Sequence, residues 1–173
     1  MLNELKLFEL KKYKDTRGYF QETYNKIIKD EICFSPQQDN ESLSKKGVIR
    51  GMHYQWDDPM GKLVRCSYGR IIDVVVDIRK NSKNFSKVYY FELSHENSSC
   101  LWIPPGFAHG FEVLSDFALV NYKCSCLYNH KGESGIDIYD KDLKINWLTK
   151  NPIVSEKDLV AKSFFEYSKD CKF

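Results

Sequence analysis

Arg70-Ile71-Ile72-Asp73-Val74-Val75-Val76-Asp77-Ile78-Arg79 is the stretch on which the fold turns. Period two places Ile72, Val74, Val76 and Ile78 on one face and Ile71, Asp73, Val75 and Asp77 on the other, so the segment reads as a strand with no plain solvent side. Two carboxylates set among aliphatics are expected to line a wet interior or to meet a second sheet. Further strands are expected on either side, over residues 62–66, 88–93, 101–103, 111–114 and 118–128. Tyr68-Gly69, Ser98-Ser99 and Pro104-Pro105-Gly106 supply turns between them. Aromatic residues make up 14% of the chain, which favours pleated surfaces over helices. Many short strands with regular turns predict an all-β sandwich or a barrel, closed so that no edge is left exposed.

The flanks fit this frame. Residues 1–24 read as an opening strand region broken at Asp15-Thr16-Arg17-Gly18, residues 24–32 as one short helix, and residues 34–40 as extended. A turn at Lys45-Lys46-Gly47 leads into Val48-Ile49-Arg50. Near the end, Ser155-Glu156-Lys157-Asp158 followed by Leu159, Val160, Phe164 and Phe165 predicts a capping box opening a helix. No repeat, low-complexity tract or linker interrupts the chain, so residues 1–173 are read as one domain.

Composition excludes several functions. The 26 basic and 24 acidic residues nearly cancel, and no Lys/Arg run exceeds two, so nucleic acid is not an expected partner. No apolar run approaches ~18 residues, so no membrane span is expected. The start, MLNELKLFELKK, lacks the apolar centre of a signal peptide. The six cysteines form no CxxC pair, and Cys124 and Cys126 would point the same way on one strand. Free thiols in a reducing cytoplasm are therefore expected.

Three stretches carry chemistry: residues 46–55 (KGVIRGMHYQ), residues 61–65 (GKLVR) and residues 103–111 (IPPGFAHGF). Pro104, Gly106 and His109, taken with His53, resemble the two histidine motifs of the cupin superfamily. Many cupins hold a metal through an HxH pair, but here the pair is His53-Tyr54-Gln55. Two histidines and a glutamine are a poor donor set, so no metal is expected.

RGMHYQ, GKLVR, VDIRKNS, LWIPPGFAHGF and the late SEKD, in this order from about residue 15 to about residue 165, resemble the dTDP-4-dehydrorhamnose 3,5-epimerase family. The resemblance implies a cupin-type jelly-roll barrel with a few short helices, the last near the C-terminus. It implies a homodimer, no cofactor, and a nucleotide-diphosphate 4-keto-6-deoxy sugar as substrate, for deoxysugar, capsule or lipopolysaccharide synthesis. Carbon beside a ketone is weakly acidic, so epimerisation there needs a base on one face, an acid on the other and a donor for the enolate oxygen. The resemblance gives the base to His53 paired with Asp158, the acid to Tyr122 and the enolate contact to Lys62. It gives nucleotide contacts to Arg17 and Glu22, base reading to Gln38 and Asn40, diphosphate or sugar contacts to Arg50 and Lys157, and further substrate contacts to His109, Tyr128 and Glu133.

Each of these residues also has a structural reading: His53 as a hydrogen-bonded barrel histidine, Asp158 as the N3 member of the Ser155 box, Tyr122 as a strand aromatic and Lys62 as a solvated lysine. Asp73 and Asp77 read as structural. The sequence departs from the family at Leu127, often a tyrosine there, and in the 56–60 segment, one residue shorter than usual. These departures leave open a dTDP- or GDP-linked sugar, a hexose or heptose, and one reacting carbon or two. A 4-keto sugar 3,4-isomerase, a metal-dependent cupin oxygenase and a non-catalytic sugar-binding cupin are the alternatives.

Overall fold

The computed structural model describes residues 3–173. In chain order the first strands are β1 (Lys6–Glu9), β2 (Lys12–Asp15), β3 (Gly18–Gln21), β4 (Gln38–Lys45), β5 (Ile49–Gln55) and β6 (Lys62–Tyr68). They are followed by β7 (Arg70–Asp77), β8 (Val88–Ser94), β9 (Ser99–Ile103), β10 (Phe107–Val113), β11 (Phe117–Cys124) and β12 (Glu133–Gly135). The helices are short: α1 (Lys26–Ile32), α2 (Glu156–Leu159) and α3 (Phe164–Lys169). One five-stranded sheet runs β1-β9-β6-β11-β4 and a second runs β12-β5-β10-β7-β8. Neighbours within them are antiparallel, and β2 and β3 form a separate hairpin. Face to face, the sheets form the jelly-roll barrel expected of the sequence.

β7 shows why its two faces read as they do. Ile71 and Val75 point inward, into a core with Val64, Leu93, Leu101, Phe111, Val113 and Val120. Asp73, on the same face, is fully buried, so the carboxylate face lines the barrel interior. The other face, with Val74, Val76 and Ile78, packs under the C-terminal segment, against Ile136, Ile138, Phe164 and Tyr167. A third cluster seats α1, through Ile28 and Ile32, on Trp102, Leu63 and Cys100 of the other sheet's outer face. Asn25 caps α1 by accepting from the N–H groups of Ile27 and Ile28.

Three expectations need correction. The strand expected to reach residue 128 ends at Cys124, because the chain beyond it bonds outside the ladder: Ser125 N–H donates to Gly61 O and Tyr128 N–H to the Gln38 side chain. Cys126 therefore does not share a strand with Cys124. The helix expected from Ser155 is two helices, separated at residues 160–163. Ser155 does cap α2 by accepting from Asp158 N–H, but the Asp158 carboxylate bonds His53 and Gly51 and does not close the box on the Ser155 backbone N–H. The reciprocal capping box stands one helix later, between Ser163 and Glu166. Of the opening strand region, residues 1 and 2 lie outside the described residues.

Candidate active site

A cavity of about 610 Å³ is lined by residues of both sheets. The β5–β10–β7 sheet contributes Arg50, His53 and His109 to its wall, and the β6–β11–β4 sheet contributes Lys62, Tyr122 and Ser42. Tyr128, Glu133, Lys157 and Asp158 close the rim. His53 and His109 are register partners on β5 and β10, so period two turns both imidazoles the same way.

His53 Nε2 lies 2.6 Å from Asp158 Oδ1, and Asp158 Oδ2 accepts from Gly51 N–H at 3.3 Å. Burial raises the Asp158 carboxyl, but the hydrogen bond to His53 and its charge, with donations from Gly51 and Ser155, outweigh this and hold it below the usual carboxylate range. An ionised carboxylate only accepts, so the proton of this bond sits on Nε2, and in the neutral imidazole Nδ1 is then the nitrogen that can accept.

A second imidazole–carboxylate pair stands beside the first. His109 Nε2 is 2.8 Å from Asp73 Oδ2, both residues are buried, and Asp73 Oδ1 has no hydrogen-bond partner. Burial pushes Asp73 up, against the opposing pull of His109 and Lys62, and pushes His109 down against the pull of Asp73. Lys62 makes no ion pair among the described residues. Burial lowers its ammonium, while Cys124, Glu133 and Asp73 work the other way. Tyr122 is raised, chiefly by burial, although a hydrogen bond with Asn40 opposes the rise. The phenol therefore keeps its proton at neutral pH.

At the rim, Tyr128 Oη donates to Glu133 Oε2 at 2.8 Å, and Lys157 Nζ pairs with the same oxygen. Burial raises Glu133, but the bonds from Lys157 and Tyr128 hold it below its ordinary value. Arg50 Nε donates to Ser44 Oγ at 3.0 Å. Gln38 and Asn40 lie on β4 beside this rim, joined by a 2.9 Å bond, although neither lines the cavity itself.

The structure does not bring Arg17 or Glu22 to the cavity. Arg17 stands on the β2–β3 hairpin, its side chain 89% exposed and paired with Asp15, while Glu22 accepts from Asn25 at the start of α1. Asp73, read from sequence as structural, does not line the cavity but stands behind its wall as the hydrogen-bond partner of His109, a pairing the sequence did not reveal. Its signal was the inward face of the 70–79 strand, and only the fold sets that face against His109.

The arrangement offers an imidazole held by a carboxylate at the cavity wall, a protonated phenol on the opposing sheet and a lysine beside the phenol's strand. Comparisons with known proteins identify the family. The sequence profile described as dTDP-4-dehydrorhamnose 3,5-epimerase matches residues 1–166. A dTDP-4-dehydrorhamnose 3,5-epimerase of Shigella flexneri is 46% identical over 164 residues, covering 92% of this chain and 91% of the relative. The Legionella pneumophila dTDP-6-deoxy-D-glucose-3,5-epimerase, solved in complex with dTDP-4-keto-L-rhamnose, superposes with a TM-score of 0.90 at 43% identity, covering 94% of this chain and 88% of that one. A 3'-monoepimerase from Streptomyces bikiniensis, solved with dTDP-quinovose, also superposes at 0.90, at 26% identity, with coverages of 95% and 86%. The chain belongs to the dTDP-4-dehydrorhamnose 3,5-epimerase family and is an isomerase of the epimerase kind.

Proposed function

We propose that the protein, as one cytoplasmic catalytic domain, epimerises a dTDP-linked 4-keto-6-deoxy sugar at carbons 3 and 5 by proton transfer among its own side chains. The observation that carries this reading is the shared cavity: His53 and Tyr122 line it from opposite sheets, and Lys62 lines it from the sheet of Tyr122. His53 Nδ1 takes the proton from the carbon beside the ketone, and Asp158 holds the resulting imidazolium in place. The electron pair moves onto the ketone oxygen, where the Lys62 ammonium meets the new charge. Tyr122 then delivers a proton to the same carbon from the other face, inverting it. His53 loses its captured proton to solvent and the Tyr122 phenolate takes one back from solvent, so each inversion exchanges one sugar hydrogen.

Arg17 and Glu22 keep their nucleotide role under this reading if a second copy of the chain brings them to the cavity. The outer face of the β4–β11–β6 sheet supports a homodimer. Leu43, Leu119 and Tyr68 stand in register across three strands, and Leu43 and Tyr68 are 63% and 60% exposed.

The test is incubation with the dTDP-4-keto-6-deoxy sugar in deuterated water, read by NMR. Deuterium at carbons 3 and 5 with the ketone kept at carbon 4 is expected. Exchange at carbon 3 alone would make the protein a monoepimerase, and a ketone moved to carbon 3 would make it a 3,4-isomerase. The His53→Ala variant is expected to lose exchange by about 10²–10⁴-fold, and full exchange in it would remove His53 from the mechanism.

A further inference from the structure

Beyond Cys124 the chain leaves the sheet, so the backbone around Tyr128 has lost its ladder partners and must find others. Two glutamine side chains supply them. Gln55, at the end of β5 and 4% exposed, donates from Nε2 to Leu127 O at 3.2 Å and to Asp58 O at 2.8 Å, while its Oε1 accepts from Asn129 N–H at 2.8 Å. The Cys126 sulfur lies 3.4 Å from the same Nε2. Gln38 Oε1 accepts from the N–H of Tyr128 itself, at 2.8 Å. The carbonyl before Tyr128 and the amide after it are thus both held by one buried side chain, two positions along the strand from His53.

We infer that Gln55 is a positioning residue, one that bolts the Tyr128 loop to the strand carrying His53 and so fixes the Tyr128 ring at the cavity mouth. This deepens the proposed function, on which the role of Tyr128 toward the substrate rests. Only an amide fits the task. The loop presents a carbonyl and an N–H on either side of Tyr128, so the holder must donate and accept at once. A carboxylate would accept from Asn129 but face two carbonyls without a proton to give. The same engagement explains the residue type after His53-Tyr54, because an amide committed on both ends to backbone is not free to act as a ligand.

The test compares Gln55→Met, Tyr128→Ala and the double variant. Amide hydrogen exchange followed by mass spectrometry should show protection lost in the 125–130 peptide of Gln55→Met and kept elsewhere. With the sugar nucleotide, KM and the Kd of dTDP should rise about tenfold together while kcat stays within about twofold, since the anchor sets where Tyr128 stands and not the proton-transfer set. In the Tyr128→Ala background the same change should add less than about twofold, because two residues acting through one contact are not additive. Wild-type protection at 125–130, an unchanged KM, or the same penalty in both backgrounds overturns the inference. Gln55→Glu, read by the same exchange experiment, replaces the Met variant if that one does not fold. A wild-type protein that turns over no sugar nucleotide would sink the proposed function, whereas exchange at 125–130 would still decide the anchor.

Discussion

Asp158 makes one choice that governs the site. Its N–H donates the helix-capping bond to Ser155 Oγ, while its carboxylate pairs with His53 and accepts from Gly51. The motif order pointed to this residue, but both readings of Asp158 survived until the side chain was placed. Asp73 was hidden for a different reason: a buried carboxylate on a strand looks the same in sequence whether it faces an imidazole or a backbone amide. Asp158→Asn keeps the size and removes the charge that fixes the His53 tautomer. It is expected to cost kcat about 10²–10⁴-fold with KM little changed, in steady-state kinetics. The same variant has a signature in stability. The folded Asp158 carboxyl is held below its unfolded value of about 3.9, so its contribution is fully present above that pH and is lost as pH falls through the folded value. Thermal melts from pH 6 to pH 2 should therefore fall less steeply for Asp158→Asn than for the wild type. An equally steep fall would mean that the carboxylate is not held as the geometry states.

Strands were legible to the extent that their pattern is local. The 70–79 segment announced β7 because both of its faces are filled, one by the barrel and one by the C-terminal segment. The end of β11 and the break between α2 and α3 were not legible, since both are set by partners distant in sequence: Gly61 and Gln38 for the first, Lys162 pairing with Ile136 and Asp137 for the second. The β5–β10 pair also depends on something no periodicity shows. Their register slips between His109 and Phe111, where Gly51 and Gly110 pass so closely that a Cβ on Gly110 would stand 2.7 Å from Arg50 O and from Met52 Sδ. The obstacle on one side is backbone, which cannot rotate away. Gly110→Ala is expected to destabilise the fold by about 1–3 kcal/mol in urea unfolding, and to lower activity further by parting His53 from His109. Unchanged stability and activity would show that the two strands can separate without cost to the site.

At the scale of the molecule, the described chain gathers His53, Tyr122, Lys62 and the rim groups around one cavity, but its hairpin lies away from it. Tyr19 and Phe20 are 52% and 64% exposed on β3, and Arg17 beside them bonds Asp15. Exposed aromatics flanking an arginine make poor sense on an isolated barrel and good sense against a second copy, since Arg and aromatic rings together suit phosphate and base contacts. A closed two-fold dimer would make the exchange mutual, each hairpin serving the other chain's cavity. The geometry then gives a test that separates partner-supplied from self-supplied Arg17. Arg17→Ala and His53→Ala are each expected to be impaired as pure proteins. When the two are unfolded together and refolded, mixed dimers carry one site with a wild-type His53 from one chain and a wild-type Arg17 from the other. Random pairing makes half of the dimers mixed, each with one complete site of two, so activity should recover to about a quarter of the wild-type level. If Arg17 instead served its own chain, no combination of these two variants would assemble a complete site, and the mixture would stay no more active than its parents.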